Sequence, residues 1–512
     1  MRSRRKTKKE FPPLMTYVFL IIIVMAISGV LGLLDVQSTF YKVNSTTLNL
    51  IPQTEIVESL FSLAGIKYIF TNTVANFANF TVLSNFIIIL MGIGIMDKSG
   101  FLQTTITLTT KKLKKKTVTF MFVLFCVLSS IFGDLSYLIF IPLGALLFYY
   151  GKRNPAIGII SSFAALSCGS ALNVIFTSSD SSLLNYTILA AQTVNNGYTV
   201  SNFAFVFIML VAVLVVSYII TFVTENIIVR KLPKYEFTER ELEEDIVTKS
   251  EKKGMIYACG AAIIYLIIFI YNIIPGLPLS GALLDNSQIN YIDKLFNVNS
   301  FFSNGFVFIV TMLFIILGLF YGIGSKSIKN QKDFCDSLGH SLDGIGNVLV
   351  MIFFASTFIS IFKQTNIGNA LVATIGNIIS SSNFNSLPLI ILIFILVAIS
   401  TIFVPSSTLK WSILSVSIVP VMMEAGMTPE FAQIIYRFGE TVTMNITPVL
   451  AYFIVYLAFL EKYNQSDKKI KLFESIRYQF PYTIVIAISL LVVIIIWYII
   501  GMPLGINSFP TI

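Results

Sequence analysis

Histidine is almost missing from this 512-residue chain, which has only His340. The four cysteines, Cys126, Cys168, Cys259 and Cys335, are scattered without metal-type spacing. These scarcities argue against a metal or catalytic centre of clustered ligands and against a disulfide framework. No D-D-x-x-D-type group of acids offers an alternative for a membrane-embedded enzyme. Charged residues make up only 12% of the chain, against 55% hydrophobic residues and a mean hydropathy of +0.83. That balance excludes an ordinary soluble domain. What is present is a series of apolar runs of about 20 residues, the length that spans a bilayer. The net charge of +9 resides in short basic clusters beside these runs. Such clusters set membrane orientation, so no nucleic-acid partner is expected.

Basic clusters taken as cytoplasmic give a topology in a cytoplasmic (inner) membrane, with the N-terminus inside and the C-terminus outside. The basic N-terminus, 1–13, precedes a first span at 14–34, read as an uncleaved helix rather than a signal peptide. Further spans are expected at 82–97, 156–176, 203–229, 255–274, 303–324, 344–363, 430–459 and 483–501. A charged cytoplasmic loop covers 230–254, with a short amphipathic helix around Glu239–Asp245. Segments 35–80, 181–202 and 364–387 are assigned to outside loops. Two apolar segments, 117–150 and 388–426, each start and end on one side of the membrane, and from opposite faces. The first is broken at Gly133 and Asp134, the second at Pro405–Trp411. The expected fold is an all-α membrane protein of nine spans plus two opposed re-entrant hairpins. Pro142, Pro155 and Asn173 find counterparts in Pro420, Pro429 and Asn445. This spacing suits inverted repeats whose broken helices meet near the midplane.

The residues that carry chemistry lie mostly in Pro405–Pro448. A charge at membrane depth costs roughly 2.5–3.5 kcal/mol even on insertion scales, yet this stretch holds Lys410, Arg437 and Glu440. Arg437 and Glu440 share a helical face and either neutralise one another or serve a ligand. A fixed guanidinium suits a carboxylate, and Trp411 would give an aromatic ring a wall. Lys410 is expected to reach back to the interface. Asn173 and Asp180, at the end of the first core helix (156–180), are either an interfacial helix end or an unwound site for a proton or sodium. Asp134 reads as a helix cap or a second carboxylate.

The motifs L-M-G-I-G-I-M-D-K-S-G (90–100), G-D-L-S-Y-L-I-F-I-P-L-G-A-L-L-F (133–148), G-S-A-L-N through Asp180, and L-K-W-S-I-L-S-V-S-I-V-P through I-Y-R-F-G-E-T-V-T-M-N-I-T-P (409–448) resemble the p-aminobenzoyl-glutamate transporter (AbgT) family over nearly the whole chain. The resemblance implies a bowl-shaped homodimer with nine spans and two opposed hairpins per subunit. It also implies ion-coupled transport of p-aminobenzoyl-glutamate or of sulfonamide-type antimetabolites, without a cofactor. Matching positions would make Thr408, Trp411, Pro429, Arg437 and Asn445 substrate-binding. Asn173, Asp180 and Glu440 would then be ion-coupling, with sodium at Asn173 and Asp180. Two departures stand out: the family's usual Asp after R-x-G is Glu440, and the amide of T-N-I-I-T-P moves by one position to Asn445. Other readings are a carrier of the same fold for dicarboxylates, amino acids or peptides, and a channel.

Overall fold

The computed structural model describes residues 13–43, 49–238, 247–297, 299–466 and 468–512. The basic arm up to residue 12 and the amphipathic helix expected around Glu239–Asp245 lie outside these residues. Helix α1 (Pro13–Leu33) leads into an antiparallel hairpin, β1 (Gln37–Val43) and β2 (Leu50–Ile56), with Gln37 opposite Ile56. This ribbon corrects the all-α expectation. Ser38 and Phe40 alternate inward along β1, the period-2 signature of a half-buried strand. Asn377 Nδ2 donates to the Thr39 carbonyl (3.0 Å), docking the ribbon on a later helix.

The chain continues through α2 (Leu63–Ala78), α3 (Thr81–Lys98), α4 (Phe101–Thr110), α5 (Lys115–Leu128), α6 (Leu135–Tyr150), α7 (Pro155–Gly169), α8 (Ser178–Gln192) and α9 (Val206–Val223), which runs on through one π-turn to Lys231. Then come α10 (Lys249–Ile273), α11 (Tyr291–Phe296), α12 (Phe301–Ser325), α13 (Gln331–Gly339), α14 (Gly346–Gln364), α15 (Ile367–Ser380), α16 (Ser386–Phe403), α17 (Ser407–Glu424), α18 (Pro429–Thr443), α19 (Phe453–Lys462) and α20 (Leu472–Ile500). Among the described residues nine helices are long and apolar enough to cross a membrane. The number equals the expected one, but the membership differs. The spans expected at 156–176 and 430–459 are each broken into shorter pieces. Two arms of the expected hairpins, Lys115–Phe132 and Ser386–Phe403, are themselves long and apolar enough to span. Three expected loops are also corrected: 35–80 contains the ribbon and α2, 181–202 contains most of α8, and 364–387 contains α15.

The breaks have local causes. Between α5 and α6, Gly133 adopts φ +58° and turns the chain. Between α16 and α17, Pro405 withholds a backbone donor. The two core helices begin alike, each with proline in its first turn behind a polar cap. Asn154 Oδ1 accepts from Ala156 N (2.9 Å) before α7, and Thr428 Oγ1 accepts from Phe431 N (3.3 Å) before α18. The α6 and α7 backbones touch where two glycines meet, since a Cβ on Gly158 would sit 2.1 Å from the Gly144 carbonyl oxygen. Aromatic stacks join the halves of the chain. Phe163 of α7 lies on Tyr456 of α19 (4.4 Å, 8°), and Tyr137 of α6 lies on Tyr452 (5.1 Å, 10°).

Candidate substrate and ion site

Four helix breaks converge on one cavity of about 1040 Å³. Its lining includes Ser130, Asp134 and Ser136 from the α5–α6 break, and Ser170, Asn173 and Ser179 from the α7–α8 break. Val404 to Leu409 of the α16–α17 break, and Met444 with Val449 to Tyr452 of the α18–α19 break, supply other walls. Within a bilayer, unwound backbone is tolerated only where protein or a cavity satisfies it.

Arg437 of α18 meets Asp180 of α8 across the halves of the chain, Nη2 to Oδ1 at 2.6 Å, with both side chains 3% exposed. Asp180 Oδ2 also accepts from Thr177 N (2.9 Å), Thr177 Oγ1 (2.7 Å) and Asn173 Nδ2 (3.0 Å). Thr177 and Asp180 form a capping box that starts α8. Asp180 is therefore neither a solvated residue nor part of the first core helix. Arg437 Nε closes the arrangement by donating to the Ala171 carbonyl (2.8 Å), one of the groups freed where α7 ends. These residues do not fit a sodium ion as packed. The carboxylate is already neutralised by the guanidinium and crowded by donors, and of the side-chain oxygens of Asn173, Thr177 and Asp180 only Asn173 Oδ1 is buried without a hydrogen bond.

Glu440 does not pair with Arg437. Its Oε2 lies 3.2 Å from Lys410 Nζ, and its Oε1 accepts from Ser407 Oγ (2.7 Å). Lys410 does not reach the interface: it is fully buried, and its ammonium also donates to Thr401 Oγ1 (2.5 Å). A lysine stem extended to the membrane surface would leave Glu440 buried alone, which the ion pair avoids.

The remaining expected residues separate into two groups. Thr408, Asn173 and Glu440 line the cavity; Trp411, Pro429, Arg437, Asp180 and Asn445 do not. Trp411 is sealed inside, where Nε1 donates to Thr187 Oγ1 (2.9 Å) and its ring lies 4.5 Å from that of Tyr436. It ties α17 to α8 rather than offering an open wall. Pro429 is the buried first residue of α18. Asn445 turns toward α20, accepting from Thr483 Oγ1 (2.9 Å) and donating to the Gln479 carbonyl (3.3 Å). Asp134 occupies the cap position of α6 without a capping bond and faces the cavity instead.

The family model of the AbgT putative transporter family matches residues 6–512. The chain belongs to this family. A curated relative, the p-aminobenzoyl-glutamate transport protein of Escherichia coli (strain K12), is 25% identical over 498 residues, covering 97% of this chain and 94% of the relative. The solved structure of the Alcanivorax borkumensis YdaH transporter is 25% identical at a TM-score of 0.48, covering 97% of this chain and all of that one. That of Neisseria gonorrhoeae MtrF, described with a class of antimetabolite efflux pumps, is 27% identical at a TM-score of 0.47, with 98% of each chain covered. This AbgT chain is thus a member of a transporter family with multiple membrane-length helices. Sequence reasoning missed three parts of its site. Lys410 is expected at the interface because Arg437, three residues away on the same helix, offers Glu440 a local partner, yet Lys410 takes that place. The T-x-x-D capping signature at Thr177–Asp180 was legible but read as a helix end. Lys363, at the end of α14, lines the cavity as its one cation among the described residues.

Proposed function

We propose that this AbgT chain is an ion-coupled secondary transporter of p-aminobenzoyl-glutamate or a related aromatic antimetabolite, working by alternating access as a homodimer in the cytoplasmic membrane. The observation that carries this reading is the pair of buried ion pairs, Asp180–Arg437 and Lys410–Glu440, held by helix breaks that meet at one large cavity. Transporters of inverted-repeat design place substrate and ion sites where interrupted helices meet. The segments 117–150 and 388–426 would serve as opposed hairpins, and the paired helix breaks 156–180 and 430–459 as repeated cores. Protonation of Asp180 would release Arg437 for a substrate carboxylate, and protonation of Glu440 would release Lys410. Each cation then exchanges a fixed partner for a mobile one, which couples proton and substrate occupancy. Asp180 as packed leaves no open carboxylate position for a sodium ion, so this reading takes the proton as the coupling ion. The printed name of the Escherichia coli relative supports the substrate class.

Purified protein in liposomes should accumulate labelled p-aminobenzoyl-glutamate under an imposed proton gradient. Asp180→Asn, Arg437→Ala and Glu440→Gln should each abolish accumulation against the gradient. Flux of dicarboxylates without flux of p-aminobenzoyl-glutamate would replace this substrate, and sodium-driven flux alone would remove the proton from the scheme.

A further inference from the structure

Arg437 and Lys410 are both occupied by carboxylates of the chain itself, yet a carboxylated solute entering the cavity needs a cation at once. Among the described residues only three charged side chains line the cavity: Asp134, Glu440 and Lys363. Lys363 lies at the C-terminal turn of α14, where the helix dipole favours a cation. No acid among the described residues lies within ion-pair distance of it. It also lines a smaller adjoining cleft of about 320 Å³ with Tyr68, Asn76 and Asn366, so it stands where the two spaces join. Asn79 and Asn369 line the same main cavity, and neither amide makes a side-chain hydrogen bond among the described residues. A lone ammonium and free amide donors on the walls of one cavity make the donor set of a carboxylate site.

We infer that Lys363, with Asn79 and Asn369, forms an entry subsite for the free carboxylate of the transported solute, engaged before Arg437 is released. The inference rests on the cavity being the transport site. The aromatic end of such a solute would then face Tyr137, Phe403 and Tyr452, which line the same cavity. Lys363 acts in recognition and leaves the two buried ion pairs intact.

Calorimetric titration of the detergent-purified full chain tests this with p-aminobenzoyl-glutamate and with p-aminobenzamide, which lacks a carboxylate. Lys363→Gln should weaken binding of the acid by about tenfold, the scale of one charge-assisted hydrogen bond. Binding of the amide should be unchanged, and Lys363→Arg should restore the acid. Equal affinity of wild type and Lys363→Gln for the acid, equal weakening of both ligands, or no binding of the acid by wild type would overturn the subsite. Liposome flux separates the two ideas. Binding that depends on Lys363 without gradient-driven flux would sink the transport reading and keep the subsite. Flux whose KM is indifferent to Lys363→Gln would do the reverse.

Discussion

At the scale of single residues, Lys410 and Glu440 behave as one unit. Removing one member of a buried pair strands the other, at about 3–5 kcal/mol, whereas replacing both with apolar groups is often close to neutral. Lys410→Met should therefore lower the melting temperature of the purified protein sharply, and Lys410→Met with Glu440→Met should recover most of the loss. Equal melting of the single and double variants would show that the contact is not an energetic pair. Asn445 makes a contrasting case. Its amide joins the α18–α19 break to Gln479 and Thr483 of α20, away from the cavity. Asn445→Ala should cost stability, about 1–3 kcal/mol for the buried groups left unpaired. KM for the transported solute should stay within about twofold, well under the tenfold that 1.4 kcal/mol represents. Residue types alone showed that Glu440 and Arg437 needed partners, and left Asp180 open; which partner each took depended on packing. Arg437 and Glu440 are three residues apart on one helix, so a local pair was the natural reading. The structure instead sends Arg437 to α8 and Glu440 to α17.

At the scale of elements, the glycine contact between α6 and α7 sets how closely a hairpin arm lies on the first core helix. Gly158→Ala would place a methyl 2.1 Å from a backbone oxygen that has no rotamer to yield. Overpacking of this kind costs about 1–3 kcal/mol. Gly305→Ala, whose nearest new neighbour would be Ile309 Cδ1 at 3.9 Å, should be neutral or mildly stabilising. Thermal unfolding of the two variants side by side checks the comparison. The start of α8 offers a second measurement. Thr177→Ala removes a cap and one hydrogen bond to Asp180, so about 1–2 kcal/mol of stability should be lost. Spans of simple apolar composition were legible to within a few residues, as at Pro13–Leu33, Phe301–Ser325 and Gly346–Gln364. The β ribbon and α15 were not, because short half-polar segments look like loops until a neighbour covers them. The Ser38 hydroxyl lies 3.2 Å from that of Thr374 on α15, so each covers the other.

At the scale of the whole molecule, contacts between residues hundreds apart hold the site: Arg437 with Asp180, Trp411 with Thr187, and Gln479 Nε2 with the Ile160 carbonyl (3.1 Å). Asp180→Asn with Arg437→Met should therefore give a protein that melts near wild type yet carries no solute against a gradient. A double variant with full gradient-driven flux would show that this bridge only holds the fold. The sequence by itself determined the membrane class, most of the long helices and two of the four places where helices break, at Gly133–Asp134 and at Pro405. Hydropathy, prolines and glycines act within a few residues of the chain and leave a local record. Only the tertiary structure decided that the breaks share one cavity, that Lys410 rather than Arg437 neutralises Glu440, and that Trp411 and Asn445 are sealed away from that cavity. Those outcomes turn on which distant side chain can satisfy a buried charge or donor, and no local pattern encodes that choice.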